Sequence, residues 1–417
     1  MASTSVLKPT VIALLLVFLM IGAGIGYMLH PTPPPLTTTL PSEVPIGVIL
    51  TLTGDFSSYG ARAQATAKIA ESEINAYVKS MGIPTTFKFY YEDYETKPDV
   101  ALTRLQSLYA RGVKVVIGGM TSGAMKQIAS YADTNKILVI DGTSTAPREN
   151  VAPPGDYEFR VVPAAEAEGD ALVAALKDKG YTNVAIVTTE DTYSLSIRDA
   201  FKSRYIAAGG NVVTDMTYAS GTKDFTVVLD TLERQVAPLL SAKQNVAIFA
   251  NMWEDVAVLL NQANSRNSPL LSLVWFGPDT LSQDTVIIND AGPVATKVKL
   301  ISVQLMAPLT SKHLALNAAV QSTMGQEPDV YALATYDAAW VAALSILNAG
   351  KYDTDAIKAA LPTVAASYWG ATGNTELNSA GDRVTMDMEF WAVVQSKWQR
   401  VATYSSVTNQ VSWLMQL

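Results

Sequence analysis

The chain has 417 residues, enough for about two or three domains with their own cores, and carries 30 Lys and Arg against 38 Asp and Glu, a formal charge of -8. That balance excludes the clustered basic surface on which phosphate backbones are held, so no nucleic-acid partner is expected. Cysteine is absent and the only histidines are His30 and His313, which excludes thiolate chemistry and Cys-ligated zinc and poorly supplies a metal-dependent or Ser/His/Asp hydrolase.

Residues 1–44 are expected to lie outside the fold. Val11 to Leu29 (VIALLLVFLMIGAGIGYML) is uncharged and apolar, with Lys8 just before it. At about 1.5 Å per residue it approaches the roughly 30 Å hydrocarbon core of a bilayer. The exit, Tyr27-Met28-Leu29-His30, is bulky where a cleaved signal ends in small residues, so residues 1–29 read as an uncleaved signal-anchor, with a cleaved signal peptide as the alternative. Lys8 puts the short end inside and the rest of the chain outside. Residues 30–44 begin HPTPPPLTTTLP, a Pro/Thr-rich spacer too poor in apolar residues to pack.

From Val44 onward, strand and helix alternate. The expected elements are strand 45–52, helix 61–78, strand 86–93, helix 99–111, strand 113–118, helix 124–133 and strand 137–141. A second series follows strand 157–162: helix 165–180, strand 184–188, helix 194–208, strand 211–218, helix 225–240, strand 245–250, helix 254–265 and strand 271–276. Strand 298–305, helix 330–348 and an antiparallel pair about Ser396-Lys397 complete the pattern. Such βαβα series imply an α/β architecture of two doubly wound, mainly parallel-sheet lobes with a ligand cleft between them.

Two turns stand out. Gly118-Gly119-Met120-Thr121-Ser122-Gly123 joins a strand to a helix whose N-cap is Thr121 or Ser122, and Gly142-Thr143-Ser144-Thr145-Ala146-Pro147 ends the next strand. A glycine-rich turn at a helix N-terminus aims free N–H groups, hydroxyls and a positive dipole end at one point, which suits an anion. Ligands of open α/β sheets bind outside the carboxyl ends of strands. Ordinary turn chemistry accounts for either turn alone, and neither has the spacing of a dinucleotide or nucleoside triphosphate loop.

The ordered segments VILTLTGDFSSYG (48–60), VVIGGMTSGAM (115–125), ILVIDGTSTAP (137–147), FRVVP (159–163), EDTYS (190–194), FANMWEDVAVLLNQA (249–263), WFGP (275–278) and YALATYDAAWVAAL (331–344) resemble the extracytoplasmic solute-binding proteins of branched-chain amino acid ABC transporters, the leucine/isoleucine/valine-binding type. The resemblance implies a type I periplasmic-binding-protein fold, two lobes joined by three crossovers, with 45–160 and 278–378 in lobe 1 and 161–277 and 379–417 in lobe 2. It implies that Ser122 and the neighbouring N–H at Gly123, beside Thr121, bind a ligand carboxylate, that Thr145 donates to it, and that the Thr143 carbonyl meets an ammonium. Counting back from Ala263 implies Asp255 as the acid for that ammonium, with Glu254 the alternative. Tyr193 would close over the ligand and Tyr59 would line the side-chain pocket. Trp253, Trp275, Phe276 and Tyr336 are further pocket or hinge candidates, each with core packing as the default.

The implied activity is capture of a small solute, an amino acid first among candidates, and delivery to an ABC permease, with no catalysis and no cofactor. A receptor ectodomain on the same fold and a binder of urea, short amides or small carboxylates are the alternatives. An amide hydrolase using Ser122 or Thr121 lacks a nearby histidine base.

Overall fold

The computed structural model describes residues 39–54, 56–152 and 157–416. The apolar segment Val11 to Leu29 lies outside the described residues.

The first sheet is built from β1 (Glu43–Leu50), β2 (Thr86–Asp93), β3 (Val115–Gly119), β4 (Leu138–Asp141) and β5 (Glu158–Arg160). All pairings are parallel and the order is β2-β1-β3-β4-β5. Its helices are α1 (Ser57–Ser80), α2 (Pro98–Ala110), α3 (Ser122–Asn135) and the short α4 (Arg148–Val151). The buried stripe of α1, Ala63, Ala67, Ala70, Ile74 and Val78, recurs every three or four residues, and its small members let neighbouring backbone approach. Gly60 shows how closely: a Cβ there would lie 1.9 Å from the Thr51 carbonyl oxygen.

The second sheet repeats the plan. α5 (Ala165–Asp178), β6 (Asn183–Thr189), α6 (Thr192–Ala207), β7 (Asn211–Tyr218), α7 (Thr226–Ser241), β8 (Val246–Asn251), α8 (Val256–Ser265), β9 (Val274–Gly277), α9 (Thr285–Lys297) and β10 (Ile301–Leu305) give a parallel set ordered β7-β6-β8-β9-β10. After α10 (Ser311–Met324), α11 (Val330–Ala349), α12 (Thr354–Ser367) and the small hairpin β11 (Trp369–Gly370) and β12 (Gly373–Asn374), the chain returns as β13 (Met388–Val394), β14 (Lys397–Ser405) and β15 (Gln410–Trp413). These add antiparallel to β10 at the sheet's edge. The expected pair about Ser396-Lys397 is β13 and β14.

Among the described residues, α11 alone is long and apolar enough to cross a membrane. It is a core helix instead, packed on α1 and β3, with Thr66 donating to the Ala332 carbonyl at 2.6 Å.

Two expected boundaries are corrected. Residues 39–44 belong to the fold: the Thr39 N–H donates to the Gly350 carbonyl at 2.9 Å, and Glu43 and Val44 open β1 in register with Thr86 and Phe87. Residues 278–305 do not join lobe 1, because β10 pairs with β9 and β13 in the second sheet. The chain therefore passes between lobes at 161–164, 306–310 and 375–387, three crossings as expected for the fold. The first and third run side by side, bridged at Arg160 and Asp382, where buried Asp382 accepts from Arg160 Nε at 2.7 Å and Arg148 at 2.6 Å.

Candidate functional site

A cavity of about 110 Å³ lies between the lobes. Its walls come from the carboxyl ends of β1 to β4 and the start of α11 on one side, and from the carboxyl ends of β6, β8 and β9 on the other. In both sheets the strand order reverses beside the first of these strands, the position at which open α/β sheets leave a crevice.

The first-lobe wall carries a hydroxyl cluster beside the rings of Phe56, Tyr59, Tyr94 and Tyr331. Thr121 caps α3, its Oγ1 accepting the Ala124 N–H at 3.3 Å. Ser122, 2% exposed, begins the helix, and its Oγ accepts from the Ala146 N–H at 3.3 Å and the Ser144 hydroxyl at 3.2 Å. Accepting both bonds leaves its own proton uncommitted, beside first-turn N–H groups that have no partner within the helix. Thr145 adds a further hydroxyl. Asp141 holds the two turns together: its carboxylate accepts N–H groups from Met120 at 3.0 Å, Thr143 at 2.7 Å and Ser144 at 2.6 Å. A Cβ on Gly118 would lie 2.4 Å from this carboxylate, so glycine makes room for it. Burial pushes Asp141 up to about 6, against the pull of its hydrogen bonds. Behind the second turn, Arg160 donates to the Ser144 and Ala146 carbonyls, tying it to the hinge at Asp382.

The second-lobe wall is aromatic with one acid. Trp253 rests on Phe56 of the first lobe, ring centroids 4.6 Å apart, and 5.5 Å from Tyr193, so the rings meet across the gap in a closed arrangement. Such pairs add about 0.5–1.5 kcal/mol each beyond the area they bury. Asp279 follows β9, is buried, and accepts the Tyr193 hydroxyl proton. Burial raises Asp279 to about 6, and burial with the facing Asp279 charge raises the Tyr193 hydroxyl, so it remains a donor. Among the described residues, no group of His, Cys, Asp and Glu could hold a metal ion.

Tyr59, Thr121, Ser122, Thr143, Thr145 and Tyr193 all line the cavity. The Thr143 hydroxyl donates to the Met120 carbonyl at 2.6 Å, bracing one turn on the other. Gly123 does not line the cavity; a side chain there would approach Pro98 and Thr192 at the seam between lobes. Asp255 is also outside the lining. Its carboxylate accepts from the Tyr218 hydroxyl at 2.7 Å and the Trp253 N–H at 3.2 Å, so its bonds support the base of the Trp253 turn, and Glu254 is exposed.

The acid that reaches the cavity is Asp279, one residue beyond the WFGP segment that carried part of the family resemblance. The rule of strand carboxyl ends applied to β9 finds it; the count from Ala263 selects the neighbouring strand. Of the other aromatic candidates, Trp253 lines the cavity, whereas Trp275, Phe276 and Tyr336 are buried in the core clusters. Phe56, Tyr94 and Tyr331 are lining aromatics that patterning alone did not single out.

A family model described as periplasmic binding protein matches residues 43–397. An uncharacterized protein of Methanocaldococcus jannaschii is 30% identical over 386 residues, 89% of this chain and 91% of that protein. Leu/Ile/Val-binding protein homolog 3 of Brucella melitensis is 26% identical over 264 residues, 60% of this chain and 67% of its own length. The crystal structure of a leucine binding protein from Thermotoga maritima shares the fold with a TM-score of 0.74 at 21% identity, covering 88% of this chain and 99% of that one. With the two crossed-over lobes and the cavity between them, these likenesses place the chain in the periplasmic binding protein family.

Proposed function

We propose that this protein is the extracytoplasmic solute-binding component of an ABC importer, tethered by its N-terminal segment, that closes on an amino acid and presents it to a permease. The observation that carries the reading is the polarity of the cavity: hydroxyls and a helix N-terminus on one wall, and a buried carboxylate on the other. A zwitterion fits that arrangement. Its carboxylate would take charge-assisted hydrogen bonds from Ser122, Thr145 and the α3 N–H groups, and its ammonium would face Asp279, with the Thr143 carbonyl as a second acceptor. Both charges then lose water without being left unpaired, while Trp253, Phe56, Tyr59 and Tyr193 close on the apolar remainder. A purely anionic solute would meet repulsion from Asp279 once that acid is ionised. Closure by hinge bending at the three crossings gives a permease a closed form to recognise.

The test is a thermal-shift and calorimetry screen of the full-length protein against amino acids, urea, short amides and organic acids. Amino acids are expected to raise the melting temperature and bind at micromolar levels, about -8 kcal/mol. Stabilisation by urea or organic acids with none from amino acids would contradict the assignment.

A further inference from the structure

A second buried acid lies beneath the cavity, outside the contacts assigned above. Glu168, in the first turn of α5, is 5% exposed, and its Oε1 accepts the Asp279 N–H at 3.0 Å. The titratable groups acting on it are Asp279, from the turn after β9, and Tyr193, from α6. The other elements packed there contribute uncharged residues, Thr145, Pro163, Ala164, Gln304 and Met388, around a void of about 10 Å³, at most about one water. Among the described residues, no Lys, Arg or His lines either the cavity or the void beneath it.

An amino group brings one positive charge. Two ionised carboxylates would leave one negative charge buried and unpaired, and like charges sharing a dry site resolve the conflict by keeping a proton. We propose that Glu168 stays protonated beneath the cavity, so that Asp279 alone presents a negative charge to the solute and Glu168 acts as its positioning residue. A neutral Glu168 still accepts the Asp279 amide through Oε1 and carries the proton on its other oxygen. Burial raises Glu168 well above the ordinary carboxylate range, in keeping with this division. The inference rests on reading the cavity as an amino-group site.

Infrared spectroscopy of the full-length protein near neutral pH, unlabelled and labelled with carbon-13 at the glutamate carboxyls, tests it without any solute. A protonated-carboxyl band that shifts with the label and vanishes in Glu168→Gln is expected. Should that variant not fold, Glu158→Gln, which removes another buried glutamate, is expected to keep the band. A wild-type spectrum lacking the band, or a band that survives Glu168→Gln, overturns the proposal. In the wild-type complex with the preferred amino acid the labelled band is expected to persist, whereas its loss on binding would mean that Glu168 is charged in the complex. Calorimetry then separates the two readings. Failure of every amino acid to bind the wild type would sink the amino-acid reading and leave the spectrum to decide the proton.

Discussion

The hydroxyl-rich part of the first-lobe wall comes from two turns close together in the chain, 119–122 and 143–145, whereas the second-lobe wall is drawn from Tyr193, Trp253 and Asp279, each after a different strand. Both lobes use the same strand order, so the contrast lies in what holds each wall. Asp141 and Arg160 lock the first into one hydrogen-bonded unit anchored at the hinge. The second is held by ring contacts, by the Tyr193 to Asp279 hydrogen bond, and by separate acids, Asp255 and Asp191 on Trp253 and Glu168 on Asp279. A wall of hydroxyls and N–H donors in one bonded unit thus faces one that brings a carboxylate, and both lobes supply aromatic cover.

Removing the anchor should have the largest effect. Asp382→Ala leaves Arg148 and Arg160 buried without their carboxylate and is expected to cost about 3–5 kcal/mol of folding stability, measured by urea denaturation. An unchanged midpoint would mean that the hinge does not brace the first wall. Ser122→Ala should weaken amino acid binding by about 1–3 kcal/mol with little loss of stability, since it withdraws one donor from a charged acceptor; equal affinity by calorimetry would move the carboxylate elsewhere.

A smaller, pH-dependent effect follows from the raised carboxyls. An acid whose folded pKa lies above its unfolded value stabilises fully below the unfolded value, and that contribution is lost as pH rises through the folded one. For Asp141 and Asp279 the loss runs from the ordinary carboxylate range up to about 6. Without solute, the melting temperature of Asp279→Asn should therefore fall less steeply than that of wild type over this window, and parallel curves would count against the burial argument. The smallest effect is expected from Asp255→Ala: its carboxylate serves Tyr218 and the Trp253 N–H, so affinity should change little, and abolished binding would return the ammonium to that acid.

Much of this molecule was legible in the sequence where the determining interactions are local. The strand at 86–93 and that at 211–218 fall at the expected residues, and the two hydroxyl turns meet at one cavity with Thr121 as the helix cap, because N-capping and glycine geometry are local. Elements with mixed patterning were missed. α9 and α12 contain Pro293 and Pro362, which ordinarily break helices, and α10 buries only His313, Leu316 and Val320 along its length. The ends of β8 and β9 both face the gap, and the choice between Asp255 and Asp279 depends on what each carboxylate meets, Asp255 being taken by Tyr218 and the Trp253 N–H. Both acids follow a strand in the second lobe, and no local signal separates them. Asp141 was hidden for the opposite reason: a strand-ending Asp looks ordinary until Met120, Thr143 and Ser144 turn their N–H groups on it.

The central claim, that a zwitterion spans the gap with its amino group on Asp279, is tested most directly by calorimetry of wild type and Asp279→Asn with the preferred amino acid and its deaminated acid. Wild type should bind the amino acid far more tightly, and Asp279→Asn should lose about 2–5 kcal/mol for it while the deaminated acid binds no worse or better. Equal losses for both solutes, or no loss for the amino acid, would contradict the account.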